Sequence, residues 1–530
     1  MSAARRSGGG ADARDIEYDE GGSEAAVRHQ GATPTHPSGP HHDRVRRQCL
    51  RAGSVRLACV VLTAIIGRGC WKPATVESPQ RDPATAIYAA PAGSSGGDGS
   101  RQRPFDLATA LSGGGPLRPG GTVWLRGGIY RVAPITSMLT GAEGQPITVR
   151  PVPGEQVVLD GADVDGAVLT INGAWTVYRD FEITSSETWR SGQQLARAQG
   201  VDVHGAHVKV VNLVVHDLAT GFGIWSDAVD TEAYGNIVYY NGWMGPDRPH
   251  GHGIYTQNKT GVRRLTDNIV FGQFGIGIHA YASDEGFLDD IQLEGNVVAS
   301  NGLPGSDYSI LLGGHRLAKR PVLKSNFTYD NPGAGNNVGF ASGCESADIT
   351  DNYFAVPHGG YAVQLMNCTG VVKGNVLTGV SRAVDGTRIV PQQELAAQYP
   401  ANHFQIEPSG PTRTFVRPNR YTPGRAHVIV YNWEHGKEVR VDLAPAGVAV
   451  GAAYEIRDVR NLPSVPVLSG VYTGGAVRIP LEGLTAAPMV GWSTPPHWSP
   501  EFAVFLVTSD ATETSALRRA YAALMGLFGG

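Results

Sequence analysis

The fold of this chain is decided by a stretch that reads NLVVHDLATGFGIWSDAVDTEAYGNIVYY, residues 212–240. Its opening phrase is a polar residue followed by apolar, β-forming residues, and the phrase returns at the end of the stretch as NIVY. Eight versions of it begin at Asp180, Asn212, Asn236, Asn268, Asn296, Asn326, Asn352 and Asn375. The steps run from 23 residues (Asn352 to Asn375) to 32 (Asp180 to Asn212), too short for a domain and typical of one coil of a solenoid.

A second phrase runs in phase with the first. It begins GVDVH at Gly200, GIWSD at Gly223, GIYTQ at Gly253 and GIHAY at Gly277. Each coil therefore carries at least two short strands rich in Val and Ile, separated by Gly, Asn and Asp turns. Strands that return to the same place in every coil stack in parallel, about 4.8 Å apart. The pattern predicts an all-β chain that forms a right-handed parallel β-helix, a single-stranded solenoid.

The overall composition suits a large, turn-rich β protein. The 530 residues can bury a large core and leave room for more than one domain, and 70 of them are Gly. A formal charge of -4 and a pI near 6.5 leave no basic footprint for nucleic acid. Nucleic-acid binding is therefore disfavoured, and a polyanionic substrate would need a local basic patch.

The N-terminal region is typical of a disordered segment followed by an export signal. Residues 1–43 hold almost no aliphatic clusters. Residues 44–70 combine RRQCLR, which resembles a twin-arginine signal, with the 11-residue apolar run LACVVLTAIIG. That run is too short to span a bilayer. We expect a secreted or cell-surface protein with no integral membrane span after signal removal, and a lipid anchor at Cys70 is the alternative.

The two cysteines outside the export segment are one coil apart. Cys344 and Cys368 are 24 residues apart and occupy matching places in neighbouring coils. Stacked neighbours at this rise are within reach of a disulfide, and an exported protein permits oxidation. The spacing is equally compatible with two stacked thiols.

The repeat predicts a β-helix over residues 84–390, with a short helix capping its N-terminal end, and different structure beyond it. The repeat is lost in residues 391–424, where Pro, Asn and Gln predict a connector. Residues 425–509 alternate apolar and polar residues, as in HVIVYNWE and EVRVDL, which predicts a C-terminal antiparallel β-sandwich. Residues 510–530 predict a helical or frayed tail.

Aligning the coils on their shared glycine predicts which side chains face outward. Val201, Ile224, Ile254 and Ile278 are apolar and are expected to point inward, so the next position points outward. The outward columns are Asp202, Trp225, Tyr255 and His279, and two residues on His204, Asp227, Gln257 and Tyr281. Aromatic platforms with polar neighbours suit sugar rings, which predicts substrate binding here. Stacked aromatic residues also stabilise β-helices, and His204 with Asp227 could be a surface ion pair.

The longest polar loop at this face is NGWMGPDRPHGHGIYTQN, residues 241–258. It crowds four candidate catalytic residues into six positions: Asp247, Arg248, His250 and His252. Loops held by a rigid scaffold are common seats of function. His252 occupies the position of Phe222 and Ile276 in the sister repeats, so a buried core histidine is the alternative for this residue.

Metal binding has little support in the sequence. A zinc site from His250, His252 and His279 lacks a further ligand fixed by spacing. The sequence therefore assigns no metal or other cofactor. Calcium is possible because it often bridges acidic substrates to β-helices, and the weak candidates are Asp227, Asp230 and Glu232.

Several phrases resemble the pectate-lyase-like superfamily over roughly Tyr88 to Thr387. They are YAAPAGSSGGDGSRQRPFDLATAL from Tyr88, GTVWLRGGIY from Gly121 and ITVRPVPGEQVVLDG from Ile147. That superfamily includes polysaccharide lyases, mannuronan C5-epimerases and polygalacturonases. DRPH at Asp247 loosely resembles the DPHD segment of the epimerases, and GHG at Gly251 matches the polygalacturonases.

The resemblance implies an enzyme acting on a uronic-acid glycan, a polysaccharide lyase or C5-epimerase. Such chemistry needs a base, a charge neutraliser and a proton donor. His250 or His279, Arg248, and Tyr255 or Tyr281 are the candidates for these roles.

Two other activities stay open. The first is an inverting, polygalacturonase-type hydrolase that uses two carboxylates from Asp202, Asp227 and Asp247, although the other polygalacturonase motifs are missing. The second is a carbohydrate-binding surface protein without turnover. A monomer with a polysaccharide partner is expected in each case.

Overall fold

A computed structural model of the chain describes residues 85–192, 197–303, 307–330 and 334–509. The predicted disordered segment, export signal and tail lie outside the described residues. No helix within the described ranges is long and apolar enough to cross a membrane.

Three long sheets form the walls of the solenoid. The first sheet has 12 strands. They are Ala86–Ala89, Thr122–Leu125, Ile147–Pro151, Thr176–Arg179, Lys209–Val211, Glu232–Tyr234, Arg263–Thr266, Ile291–Glu294, Ala318–Lys319, Val322–Lys324, Cys344–Thr350 and Cys368–Lys373. Their pairing is parallel throughout, from one coil to the next.

The second sheet follows the first in each coil and has 11 strands. They are Gly128–Arg131, Val157–Asp160, Glu182–Thr184, Val214–His216, Ile237–Tyr239, Ile269–Phe271, Val297–Ala299, Phe327–Tyr329, Tyr353–Ala355, Val376–Thr378 and His403–Gln405. The repeated phrase therefore marks the turn into this sheet.

The third sheet also has 11 strands and completes each coil. They are Ile135–Ser137, Ala167–Ile171, Gln199–Val203, Phe222–Ile224, Ile254–Thr256, Ile278–Ala282, Tyr308–Gly314, Gly335–Ala341, Tyr361–Met366, Val380–Asp385 and Arg388–Val390. Only the last strand of this sheet runs antiparallel, folding back on its neighbour.

From Asn236 onward, the asparagine that opens the repeated phrase is buried and forms a ladder along the solenoid. Asp180 and Asn212 lie one position earlier in the register and are not part of it. In each described step, Nδ2 of one Asn donates to Oδ1 of the next at 2.7–3.0 Å. The members are Asn236, Asn268, Asn296, Asn326, Asn352, Asn375 and Asn402. Because buried amides need hydrogen-bond partners, the ladder explains why an asparagine recurs in front of the apolar strands from Asn236 onward.

A helix closes the N-terminal end of the solenoid. It spans Leu107–Leu111 and is capped by Asp106, whose carboxylate accepts from the N–H of Thr109 at 2.8 Å. Its buried residues pack beside the strand Ile135–Ser137 and join the apolar core inside the coils. A second helix, Gln392–Gln398, packs beside the last coils.

The C-terminal region is an antiparallel β-sandwich. Its larger sheet contains Arg413–Pro418, Ala426–Tyr431, Phe502–Thr508, Ala453–Asp458 and Leu468–Val471, and its smaller sheet Glu438–Asp442 and Ala476–Pro480. Short 3-10 turns lie at Ala444–Ala446 and Val459–Asn461. The predicted all-β class, the parallel β-helix and the C-terminal sandwich are confirmed.

The sandwich covers the second sheet of the solenoid. Tyr431 and Phe502 of the sandwich pack in one apolar cluster with Phe271, Tyr329 and Tyr353 of the second sheet. Burying aromatic residues of this size is strongly favourable, at about 25 cal/mol per Å² of apolar surface. The outer face of the second sheet is therefore occupied, and the outer face of the third sheet is where polar and aromatic side chains gather.

The structure also answers the question about the cysteines. Cys344 and Cys368 pair in register on neighbouring strands and form a disulfide. It ties two of the last coils together.

Candidate functional site

The strand register of the third sheet corrects the predicted outward columns. Asp202 pairs with Gly223, Gly223 with Tyr255, and Tyr255 with His279. The prediction that Trp225 belongs to this column is wrong, since a glycine takes that place. Three of the four predicted members nevertheless share one line on the outer face.

The misplacement has a simple origin in the sequence GFG. The glycine equivalent to Gly253 is Gly221, because the residues that follow them, Phe222 and Ile254, pair with each other. The prediction used Gly223 instead. A shift of two residues keeps every side chain on its predicted face, so alternation could not reveal the error.

Trp225 stands in the second column, beside Gln257 and next to His204. The rings of His204 and Trp225 are nearly parallel, and their centroids are 6.1 Å apart. Asp227 lies beyond the column, in the turn after the strand, so its predicted place is wrong. The predicted contact does form, because Nδ1 of His204 is 3.2 Å from Oδ2 of Asp227.

Aromatic rings line the face from coil to coil. The centroids of Trp225 and Tyr255 are 5.6 Å apart, those of Tyr255 and His279 5.4 Å, and those of His279 and Tyr281 4.9 Å. Tyr281 also packs in an outer apolar cluster with Ile276 and Leu311. Of these rings, Trp225 and Tyr255 are half-buried and offer apolar surface to a sugar, whereas His279 and Tyr281 are buried beside them.

The loop of residues 241–252 folds into a small hairpin over this face. Trp243–Met244 pairs antiparallel with Pro249–His250, and the rings of Trp243 and His250 stack at 4.9 Å. Nε2 of His250 is 2.8 Å from Oδ1 of Asp247. The hydrogen bond from His250 lowers the pKa of Asp247 and so keeps it a carboxylate. The result is an Asp–His dyad at the tip of the loop.

His252 faces outward and meets His279. Nε2 of His252 lies 3.2 Å from Nδ1 of His279, and the N–H of Ile276 donates to Nδ1 of His252 at 3.3 Å. The predicted equivalence of His252 and Phe222 is wrong, because the carbonyl of His252 accepts from the N–H of Gly221. His252 therefore does not fill an inward core position.

The hydrogen bonds around this imidazole pair decide its proton positions. Because the amide of Ile276 donates to Nδ1 of His252, the proton of that ring lies on Nε2 and is donated to Nδ1 of His279. His279 then carries its own proton on Nε2. Burial lowers the pKa of His252 to about 3 and that of His279 well below its usual value. Both rings are neutral at physiological pH.

The positive charge of Arg248 acts both on the dyad, where it lies 3.8 Å from Asp247, and on the imidazole pair. This charge contributes, after burial, to the lowered pKa of His252 and of His279. It also acts on Asp307, whose pKa is raised by burial to about 6. The sequence reasoning missed Asp307, which lies in the loop before Tyr308–Gly314, where the repeat is weak.

Tyr255 is held by its neighbours. Its hydroxyl donates to the main-chain carbonyl of Tyr281 at 3.3 Å and accepts from Nε2 of Gln257 at 3.0 Å. A hydroxyl has one proton to donate. This bond argues for a positioning role for Tyr255, rather than the predicted role of proton donor.

The predicted calcium ligands do not form one site. Asp227 contacts His204, Asp230 accepts from the N–H of Val262 at 2.8 Å, and Glu232 binds Arg420 and Tyr421. Within the described ranges, no group of three or more His, Cys, Asp or Glu side chains is placed to hold a metal ion.

Comparison with known proteins finds local similarity. No family model matches the chain. The pectate disaccharide-lyase of Dickeya chrysanthemi is 32% identical over 100 residues, which are 19% of this chain and 13% of that protein. The match thus spans a small part of this relative.

Solved structures overlap with larger parts of the chain. Pectate lyase Pel9A is 17% identical and covers 55% of this chain and 78% of its own, with a TM-score of 0.41. An alginate lyase from Paenibacillus sp. str. FPU-7 is 16% identical and covers 61% and 98%, with a TM-score of 0.37. The strand pairing described above and the local sequence similarity agree with the predicted pectate-lyase-like β-helix.

Proposed function

We propose that this chain is an exported enzyme that removes the proton next to the carboxylate of a uronic-acid glycan, a polysaccharide lyase or C5-epimerase. The observation that carries the proposal is the arrangement of the Asp247–His250 dyad and the neutral His252–His279 pair around Arg248. The local similarity to a pectate disaccharide-lyase supports the same class.

His250 is the proposed base. The carboxylate of Asp247 accepts from Nε2–H of His250, which leaves the lone pair of Nδ1 to take a proton. A Cβ at Gly245 would lie 2.6 Å from Nε2 of His250, so the glycine leaves the space that the dyad needs. Proton transfer by a positioned base contributes about 10²–10⁴-fold to a rate.

Arg248 and His279 are the proposed partners of the substrate carboxylate. Removing the proton on C5 moves negative charge onto the carboxylate oxygens, which a guanidinium stabilises. Nε2–H of a neutral His279 donates to the same group without adding a charge, as a neutral imidazole can. These contacts strengthen as charge develops and so favour the transition state.

The elimination balances without another reactant. The C5–H bond breaks and the proton moves to Nδ1 of His250. The C4–C5 double bond then forms as the C4–O bond breaks, and His250 returns the proton to the leaving oxygen. In an epimerase His250 would keep this proton, and a second acid or a water molecule would deliver another proton to the opposite face of C5.

Export is part of the proposal. The disulfide between Cys344 and Cys368 supports an oxidising compartment. The apolar run in residues 57–67, outside the described residues, supports a signal segment.

A panel of pectate, alginate and glycosaminoglycans tests the activity. A lyase releases an unsaturated product that absorbs in the ultraviolet, and an epimerase incorporates deuterium at C5 in heavy water. We expect His250→Ala to lose at least about 10²-fold in kcat. The matched control is His358→Ala, since His358 forms a similar pair with Asp330, at 3.3 Å, on another loop. New reducing ends without unsaturation would instead indicate hydrolysis, and binding without turnover a carbohydrate-binding protein.

A further inference from the structure

The stretch of the outer column of the third sheet between Asp202 and Arg382 carries opposite charges at its two ends. Beyond Asp202 the column continues with the uncharged residues Thr170 and Thr136. In strand register the stretch runs from Asp202 through His279 to Arg382. His279 is three coils from Asp202 and four from Arg382. At about 4.8 Å a coil, these separations are about 14 Å and 19 Å. One coil is close to the length of one sugar ring, so the ends correspond to different units of a bound chain.

At the C-terminal end of this stretch, the cation Arg382 is held in place by two neighbouring side chains. Nε of Arg382 donates to Oε1 of Gln364 at 2.7 Å, and its guanidinium lies 4.1 Å from the ring centroid of Tyr361. Within the described ranges, Arg382 makes no ion pair with a carboxylate. A guanidinium that is fixed in this way keeps donors available for a carboxylate ligand, at a low entropic cost.

The N-terminal end presents carboxylates. Oδ1 of Asp202 is buried above Gly223, with the indole N–H of Trp225 beside it. The side chain of Asp227 is 62% exposed next to His204.

Two basic side chains act electrostatically on this end, His204 on Asp202 and Arg263 on Asp227. His204 also lies 3.2 Å from Asp227. Arg263 is turned inward. Its guanidinium is buried and donates to the main-chain carbonyls of Trp225, Gln257 and Ala228. It therefore faces away from a ligand on the surface. At this end a bound sugar would meet the two carboxylates, Asp202 and Asp227, with the single imidazole of His204 beside them.

A uronate would be repelled at one end of this stretch and bound at the other. Two carboxylates about 4 Å apart repel by about 1 kcal/mol in water and by more near a protein surface. An uncharged sugar meets no such repulsion and can place its apolar ring face on Trp225, which is half-buried.

We propose that the preferred substrate is a mixed polymer, bound with uronate on the Arg382 side of His279 and an uncharged sugar on the Asp202 side. This inference rests on the proposed function of the same face. It makes Asp202 and Arg382 specificity-determining residues for the two sides of the groove.

The test compares the binding of two oligosaccharides by calorimetry, in the inactive His250→Ala background. One consists of uronate alone, and the other alternates uronate with a neutral hexose. We expect the mixed chain to bind at least about fivefold more tightly. Asp202→Asn should tighten the uronate chain about fivefold and leave the mixed chain unchanged. Arg382→Gln should weaken both about tenfold.

Glu345→Gln is the matched control, because Glu345 is an exposed carboxylate on the first sheet. It should change neither affinity. Circular dichroism and thermal unfolding check that each variant is folded. Equal affinity of wild-type protein for the two chains, or the same ratio in Asp202→Asn, would overturn the inference.

The binding test does not depend on turnover. If the affinities shift as expected but no glycan is ever consumed, the proposed activity fails and the specificity inference stands. If glycans are consumed but the ratio does not respond to Asp202→Asn, the specificity inference alone fails.

Discussion

Nε2 of His252 lies 3.2 Å from Nδ1 of His279, while the main-chain N–H of Ile276 donates to the other ring nitrogen of His252. A proton added to His252 would meet this amide or break the contact with His279. Burial and the charge of Arg248 act in the same direction. The pair is therefore built to stay neutral.

This neutrality makes the fold sensitive to acid. The pKa of His252 is about 3 in the folded protein and about 6.5 in the unfolded chain. The unfolded state binds more protons between these values, so the free energy of unfolding falls as pH drops below about 6.5. The expected slope is about 1.4 kcal/mol per pH unit for each neutral ring.

Urea unfolding of His252→Gln between pH 7 and 4 checks this prediction. In the variant, the free energy of unfolding should depend less steeply on pH, by about 1.4 kcal/mol per pH unit, which is the contribution of one neutral ring. His358→Gln is the control, since the side chain of His358 is 57% exposed. Equal slopes in the wild type and His252→Gln would contradict the assigned neutrality.

Asp247→Asn should impair turnover more than binding. The amide oxygen of Asn can accept from Nε2–H of His250 but carries no charge, and the amide NH2 can instead donate to Nε2. Both effects weaken the preference for the tautomer that leaves Nδ1 free. We expect kcat to fall about 10²-fold or more with KM nearly unchanged, measured on the best substrate of the glycan panel. Asp330→Asn, at the His358 pair, should leave kcat unchanged. A change confined to KM would indicate that Asp247 binds substrate instead.

His216 gives the fold a second dependence on pH, with the opposite sign. Burial lowers its pKa, but hydrogen bonds to Asp217 at 2.8 Å and Glu182 at 3.1 Å outweigh burial and raise the pKa to about 9. The folded state then holds a proton that the unfolded chain releases above pH 6.5. This stabilisation is complete below pH 6.5 and is lost as pH rises through 9.

The expected loss is on the order of 3 kcal/mol between pH 6.5 and 9. Thermal or urea unfolding over this range measures it, and His216→Gln should remove most of the dependence. A wild-type free energy of unfolding that stays constant to pH 9.5 would show that His216 is not protonated in the folded protein.

Asn296→Ala should be strongly destabilising. Asn296 is fully buried, donates to Oδ1 of Asn326 and to the carbonyl of Leu265, and accepts from Nδ2 and the main-chain N–H of Asn268. Removing it leaves buried groups of its neighbours unpaired, at about 1–3 kcal/mol each. We expect a loss of at least about 3 kcal/mol in urea unfolding. Asn461→Ala, at an exposed hydrogen bond to Thr485, is the control and should cost less than about 1 kcal/mol.

The sequence by itself determined the coil, the faces and the place of the loop. From Asn236 onward, a buried amide stands in front of each apolar strand because it must pair with the amides of the neighbouring coils, which makes the repeat visible. Alternation is a local property of strands, so Asp202, Tyr255 and His279 could be placed on one outer face. The close spacing of Asp247, Arg248 and His250 in one loop could also be seen in the sequence.

Only the tertiary structure decided the register and the contacts. Gly221 and Gly223 differ by two residues, the period of a strand, and pairing with the next coil alone chooses between them. The bond between His252 and His279 joins two coils, and Asp307 enters from a third. The covering of the second sheet by the sandwich is a contact between distant segments. Such contacts depend on the packing of whole coils, and a local pattern of residues does not contain them.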